Sequence, residues 1–336
     1  MHSTVTHTAG TADHHVLKTV DEDATDYEAA AAAHDIYVDP STDGSNLVAA
    51  LAAIAKLLQS APSSSVAVHL RPGVHNVPRG GLHITGDHSP SGAEVRWLGG
   101  RAASISSQGP VEGWTHVGAA EPGLHAKGAF MARAPAALGG ASVRHLWVDG
   151  QRIFRTRRPV AAALPGLALT NNSKGYNVVL SKPLAWSNPH EVEFVYSGVG
   201  SGWSESRCAV ESIAVAGTNS SGVISNMTMK MPCFWNLVHR MYQPVGSIPP
   251  VFVDNVKEDL EQGQFYFDKA RGMIYYIPLK GQNMTSVHSK VVVAREETLM
   301  LLENASNQIF ESVAMEYATW LRPGQSDGYV PTLGRY

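Results

Sequence analysis

Charge is scarce in this chain. Asp, Glu, Lys and Arg make up 16% of its 336 residues, and no block of five like charges occurs. The 26 basic residues against 29 acidic ones leave a formal net charge of −3. A nucleic-acid partner is therefore not expected, since it needs Lys and Arg concentrated on one face. Long apolar runs are missing too. Nothing approaches the roughly eighteen consecutive apolar residues of a membrane span, and the alanine run at 29–33 is short and follows acidic residues.

Cysteine is nearly absent, with Cys208 and Cys233 the only two. Neither Cys-X-X-Cys nor paired Cys/His zinc spacing occurs. Two readings of the pair stand: a disulfide closing a loop of about 25 residues, worth roughly 3 kcal/mol in the entropy model, or two buried thiols. The tail histidines His2, His7, His14 and His15 have no spacing that fixes a metal geometry. No Gly-X-Ser-X-Gly elbow and no His-Glu-X-X-His helix occurs. Gly198, Gly200 and Gly202 run into Trp203 rather than into a helix, so they do not form a phosphate cradle. No metal and no cofactor is expected. A serine–histidine–aspartate triad is compatible with the sequence, because its members need not be neighbours along the chain.

What is present points to β structure. Gly contributes 31 residues and Pro 19, and helix-length periodic segments are few. Residues 1–34 are polar and poor in large apolar side chains, as a flexible tail would be. Asp35-Ile36-Tyr37-Val38 then reads as a strand and Asp39 to Ser45 as a turn. Leu47, Leu51, Ile54, Leu57 and Leu58 recur at helical spacing, with Ser45 or Asn46 placed to cap the helix. Val66 to Leu70, Leu82 to Ile84 and Val95 to Leu98 read as further strands, on which His69 and His83 face away from the core.

Between residues 111 and 290 the pattern changes to antiparallel hairpins. Asp149-Gly150 joins two strands, as the turn chemistry of a hairpin requires. Glu191 to Tyr196 alternates as a strand, and Tyr266 to Tyr276 reads as another hairpin with turn residues in its middle. Arg155, Arg157 and Arg158 form the one basic cluster. Strand arginines of this kind usually pair with carboxylates, here Glu191 or Glu193; an acidic-glycan or phosphate site is the sharper alternative. Five Asn-X-Ser/Thr sequons, at Asn171, Asn219, Asn226, Asn283 and Asn304, suggest an extracellular or secretory-pathway glycoprotein. Met1 to Val38 shows no basic segment followed by an apolar one, so no signal peptide is visible.

The ordered set DIYVDPSTDGS, an amphipathic helix, VAVHLRPGVHNV and VRWLGGRAASISSQGPVEGW resembles the opening of right-handed parallel β-helix proteins. These belong to the pectin-lyase-like superfamily, which includes glycoside hydrolases. The resemblance runs on through HLWVDGQRIFRTRRP, YSGVGSGWSESRC, MKMPCFWN, GQFYFDKARGMIYYIP and EYATWLRPGQSDGYVP, covering nearly everything from residue 35 onward. It implies a mainly β chain: an incomplete right-handed parallel β-helix with an N-terminal capping helix and an interposed antiparallel β-rich domain. The implied segments are a tail at 1–34, the helix and first coils at 35–110, the interposed domain at 111–290 and further coils at 291–336.

In the last of these segments Val313, Met315 and Tyr317 alternate with Glu316, as on a strand with one face inward. Trp320, Arg322, Asp327 and Tyr329 follow in a Pro/Gly turn. Such a group suits a sugar groove; alternatively the aromatics pack the turn down and Arg322 pairs with Asp327. Relatives that act on glycans need two carboxylates, and Glu316 and Asp327 are the acids within reach. Tyr317 stands where relatives commonly carry histidine. The coils that carry the acids in long relatives come after the segment resembling EYATWLRPGQSDGYVP, so a truncated member is expected. Its last coil would offer an exposed edge for self-association. Two functions follow from the resemblance: a polysaccharide-acting, glycosidase-like enzyme, or a non-catalytic glycan-binding or structural module.

Overall fold

The computed structural model describes residues 34–90, 92–100, 102–170, 174–197, 205–240, 250–286 and 290–324. The chain is mainly β. Its first part lays down strand β1 (His34–Val38), helix α1 (Ser45–Ser60) and strands β2 (Ser65–Leu70), β3 (Gly73–Asn76), β4 (Leu82–Thr85), β5 (Glu94–Leu98) and β6 (Ala103–Ser106). These do not form hairpins. β1, β2 and β5 pair in parallel, and so do β3 and β6.

The strands Met300–Glu303, Gln308–Glu311 and Ala314–Glu316 then return to the same stack. They pair in parallel with β4, β5 and β6 respectively. Ile36, Val68, Trp97 and Phe310 are consecutive register partners across one ladder, and the Trp97 and Phe310 rings stack 5.9 Å apart. Segments far apart in sequence thus share one apolar core. Buried apolar side chains in register account for the pairing, since a slip of one residue would turn each of them outward.

Helix α1 closes one side of that core. Leu47, Ala50, Leu51, Ile54 and Leu58 are buried at i, i+3, i+4, i+7 and i+11, the stripe an amphipathic helix presents. Its cap is Gly44 rather than Ser45 or Asn46. Gly44 has φ 84° and makes no side-chain cap bond, while Asn46 donates to the Asp39 carbonyl instead. A Cβ on Gly44 would sit 2.3 Å from the Pro78 nitrogen. Close approach of two backbones therefore overrides ordinary capping preference here.

The middle of the chain builds two larger sheets. One has seven strands, all antiparallel, including Arg157–Pro159, Phe252–Asp254, Glu193–Ser197 and Glu205–Asn219 as neighbours. The other has eight, and in it Gln151–Arg155 pairs in parallel with Gln264–Asp268. The Asp149-Gly150 hairpin forms between Leu146–Val148 and Gln151–Arg155, with φ 51° and 80° at the two turn residues, as a type I′ turn demands. Val291–Ala294, placed with the later coils on sequence grounds, pairs antiparallel with Leu146–Val148 and with Gln108–Pro110. It belongs to the eight-stranded sheet. The next residue, Arg295, is buried and ties this sheet to the parallel stack, its Nε donating to the Ser107 carbonyl at 3.2 Å and its Nη2 to the Val77 carbonyl at 3.5 Å.

Candidate functional site

Four adjacent strands of the seven-stranded sheet bring charged side chains together because their registers are fixed. Glu193 and Arg157 both pair with Asp254 across the ladder, and Arg207 lies opposite Val195. Glu193 accepts Arg144 Nη1 at 2.5 Å and Nη2 at 2.9 Å, and Arg155 Nη1 at 3.0 Å. Asp254 accepts Arg157 at 2.8 and 2.9 Å and Arg207 Nη1 at 2.6 Å. Arg207 also bonds Glu205, and Arg155 Nε donates to Asn255 at 3.1 Å. Burial alone would raise the Glu193 carboxyl, but Arg155 and Arg144 hold it well below the ordinary range. Paired charges of this kind are rigid, since removing either partner strands the other in a low-dielectric site.

This network floors two adjoining clefts. One, of about 420 Å³, is lined by Arg144, His145, Arg152, Arg157, Arg207 and Trp320, among others. The second, of about 520 Å³, shares Arg155 and Arg207 and adds Lys230, Lys269 and Arg322. His145 lowers its pKa to about 3, through burial first and then the charges of Arg152, Arg144, Arg207 and Arg155. It is neutral at physiological pH, and its Nδ1 bonds the Thr319 hydroxyl at 2.8 Å.

The turn after the strand Ala314–Glu316 forms one wall. Thr319 N–H donates to the Glu296 carbonyl at 3.0 Å. The Leu321 and Arg322 amides donate to Glu297 Oε1 at 2.6 and 3.3 Å. Tyr317 adopts φ 60°, uncommon for a bulky residue. Its carbonyl accepts from the Ser107 hydroxyl at 2.5 Å, and its ring meets Trp147 edge-on at 4.8 Å. Trp320 and Arg322 are thereby held at the clefts.

The residues expected from sequence divide accordingly. Trp320 lines the smaller cleft and Arg322 the larger; Arg322 pairs with Glu297 at 3.5 Å. Glu316 is exposed on its strand and lines neither cleft. Met315, expected to face inward, is 50% exposed; its strand is the outermost in its ladder among the described residues. Asp327 and Tyr329 lie outside the described residues. Cys208 and Cys233 form a disulfide with Cα atoms 5.6 Å apart. It ties the strand carrying Arg207 to the segment carrying Lys230. Of the basic cluster, Arg155 pairs with Glu193, Arg157 with Asp254 and Arg158 with Asp259. Glu191 instead accepts the Lys269 amide at 3.1 Å. Arg144, Arg152, Arg207 and Asp254 carry no sequence signal of their own; only the tertiary fold brings them to one cleft.

A parallel strand stack joined to two mainly antiparallel sheets, with an arginine-rich double cleft between them and the last turn, defines the architecture. No family model matches the chain, and no curated protein matches it. A solved structure named glycoside hydrolase superposes on 87% of this chain with a TM-score of 0.68 at 17% identity. The chain covers 52% of that protein's length, about half. At this identity the likeness is one of fold.

Proposed function

We propose that this is a carbohydrate-related chain of glycosidase-like ancestry, built on a right-handed parallel β-helix, that binds a polysaccharide at the double cleft. Trp320 on the cleft wall carries this reading. A partly exposed indole beside fixed polar groups offers the flat apolar face and directional donors that a pyranose ring engages. The fold likeness to a glycoside hydrolase supports it. Binding is favoured over hydrolysis by one observation. Glycoside cleavage needs one carboxyl able to give a proton and another free to attack or to activate water. Across the two clefts Asp254, Glu205 and Glu193 are engaged by arginines. Glu191 in the larger cleft is not, and burial pushes its carboxyl up. The clefts therefore offer one candidate proton donor and no second free carboxylate among the described residues. Under this reading Glu316 and Asp327 are the acids to examine for residual hydrolysis. The four described sequon asparagines, Asn219, Asn226, Asn283 and Asn304, are exposed, which supports a secreted, glycosylated protein.

The test is a glycan array together with a hydrolysis screen of the purified chain beside Trp320→Ala and Glu316→Gln. The expected result is binding that Trp320→Ala weakens at least tenfold. Absence of glycan binding by the folded wild-type chain would overturn the proposal. Hydrolysis that disappears in Glu316→Gln would show that the chain is an enzyme rather than a module.

A further inference from the structure

The double cleft holds more positive charge than its own carboxylates neutralise. Around the smaller cleft stand five arginines, Arg144, Arg152, Arg155, Arg157 and Arg207. Three carboxylates face them, Glu193, Glu205 and Asp254, so five minus three leaves a surplus of two. The carboxylates are already occupied. Both oxygens of Glu193 and both of Asp254 accept guanidinium donors. Arg152 has no carboxylate partner among the described residues, although it lies beside four arginines that have one. Arg152 is exposed at the cleft, where partial desolvation and then the charges of Arg207 and Arg157 depress its guanidinium. Burial and then the charges of arginines in the same cleft keep His145 neutral. The unmatched guanidinium adds repulsion to the arginine cluster and no pairing energy, while standing open to solvent and to a ligand.

The adjoining cleft continues the pattern. Lys230 and Lys269 line it beside one further carboxyl, Glu191, which accepts the Lys269 amide. Neither lysine ammonium makes an ion pair among the described residues. We propose that the double cleft selects acidic glycans, with Arg152 meeting the carboxylate of a uronic acid or a sulfate ester, and Lys230 and Lys269 meeting the anionic groups of neighbouring sugars. This rests on the glycan reading of the cleft. The planar guanidinium suits either group, since its paired N–H donors match two coplanar oxygens. Arg144, Arg155, Arg157 and Arg207 are positioning residues here. Locked in place by Glu193 and Asp254, they supply a fixed positive field without reorganising when the ligand arrives. A nucleic acid fits less well, because the basic groups fill a bounded pair of clefts rather than a stripe and the chain as a whole is acidic.

The test compares affinities of the full chain for a uronic-acid oligomer, its methyl-esterified neutral counterpart, and a sulfated oligosaccharide of equal length, by titration calorimetry at low and high salt. One or both anionic oligomers are expected to bind at least tenfold tighter than the ester, with the margin shrinking as salt rises. Whichever is tighter identifies the group recognised. Arg152→Gln, which breaks no ion pair among the described residues and should leave the circular dichroism unchanged, is expected to lose most of that margin. Equal affinity for acid and ester, or an anionic preference untouched by Arg152→Gln, overturns the inference and leaves the glycan reading standing. Failure of every oligomer to bind overturns both.

Discussion

Replacing Glu193 by Gln tests the physics of the cleft floor most directly. The substitution is close to isosteric, so its effect is electrostatic. Arg144, Arg155 and Glu193 side chains are 7%, 11% and 12% exposed respectively, and solvent does little to screen them. Gln leaves two buried guanidinium groups facing one amide. Removing one partner of a buried pair costs about 3–5 kcal/mol. A transition involving 150–250 residues shifts by about 2–4 °C per kcal/mol, so a fall in Tm of roughly 6–20 °C is expected by calorimetry. The effect has a defined pH window. The folded Glu193 carboxyl lies below its unfolded value of about 4.3, so its stabilising contribution is complete above that value and is lost as pH falls beneath it. Wild type and variant should therefore differ fully at pH 7 and converge in acid. In a double-mutant cycle Glu193→Gln with Arg144→Met should cost less than the sum of the single changes. A Tm within 2 °C of wild type, or strict additivity, would refute the reasoning.

Further expectations concern the rest of the molecule. His145 has a folded pKa of about 3 against about 6.5 unfolded, so the unfolded chain binds an extra proton between these values and stability falls as pH drops through the window; His145→Asn should flatten that limb in urea melts across pH 3–7. Reducing the Cys208–Cys233 bridge, or replacing both residues by Ala, should cost about 3 kcal/mol in unfolding free energy, and an unchanged denaturation midpoint under reductant would count against it. Leu301, Leu302 and Met315 are exposed on the outermost strands of the parallel ladders, so the chain is expected to self-associate there. Leu301→Lys with Met315→Lys should then lower the sedimentation coefficient at high concentration.

Much of the backbone plan is readable along the chain, because it depends on local patterns. The Leu47–Leu58 stripe specifies α1, the Asp149-Gly150 pair specifies its hairpin, and the apolar faces of β1, β2 and β5 specify their ladders. The choice of Gly44 as cap is not readable, since it answers to Pro78 across a loop. Nor is the assignment of Val291–Ala294, whose apolar run suits a parallel or an antiparallel neighbour equally well. The site is less legible than the fold. Trp320 and Arg322 stand out by composition and reach the clefts. Arg144 and Arg207 look like ordinary strand residues until the sheet places them against Glu193 and Asp254. Glu316 stands out equally and lies away from both clefts, because strand alternation tells which face a residue takes but not what lies opposite.

The Trp97 indole donates to Gln308, 211 residues later. A ribosome adding about 5–20 residues per second needs roughly 10–40 s to cover such an interval. Through that time the nascent chain displays β5 and β6 with one side of each unsatisfied and β4 with no ladder partner, while the two middle sheets are still being made. Loop-closure entropy must be overcome before these distant partners meet. The interval is one in which a chaperone, or another nascent copy, has access to strands that the finished molecule covers with its own closing segment.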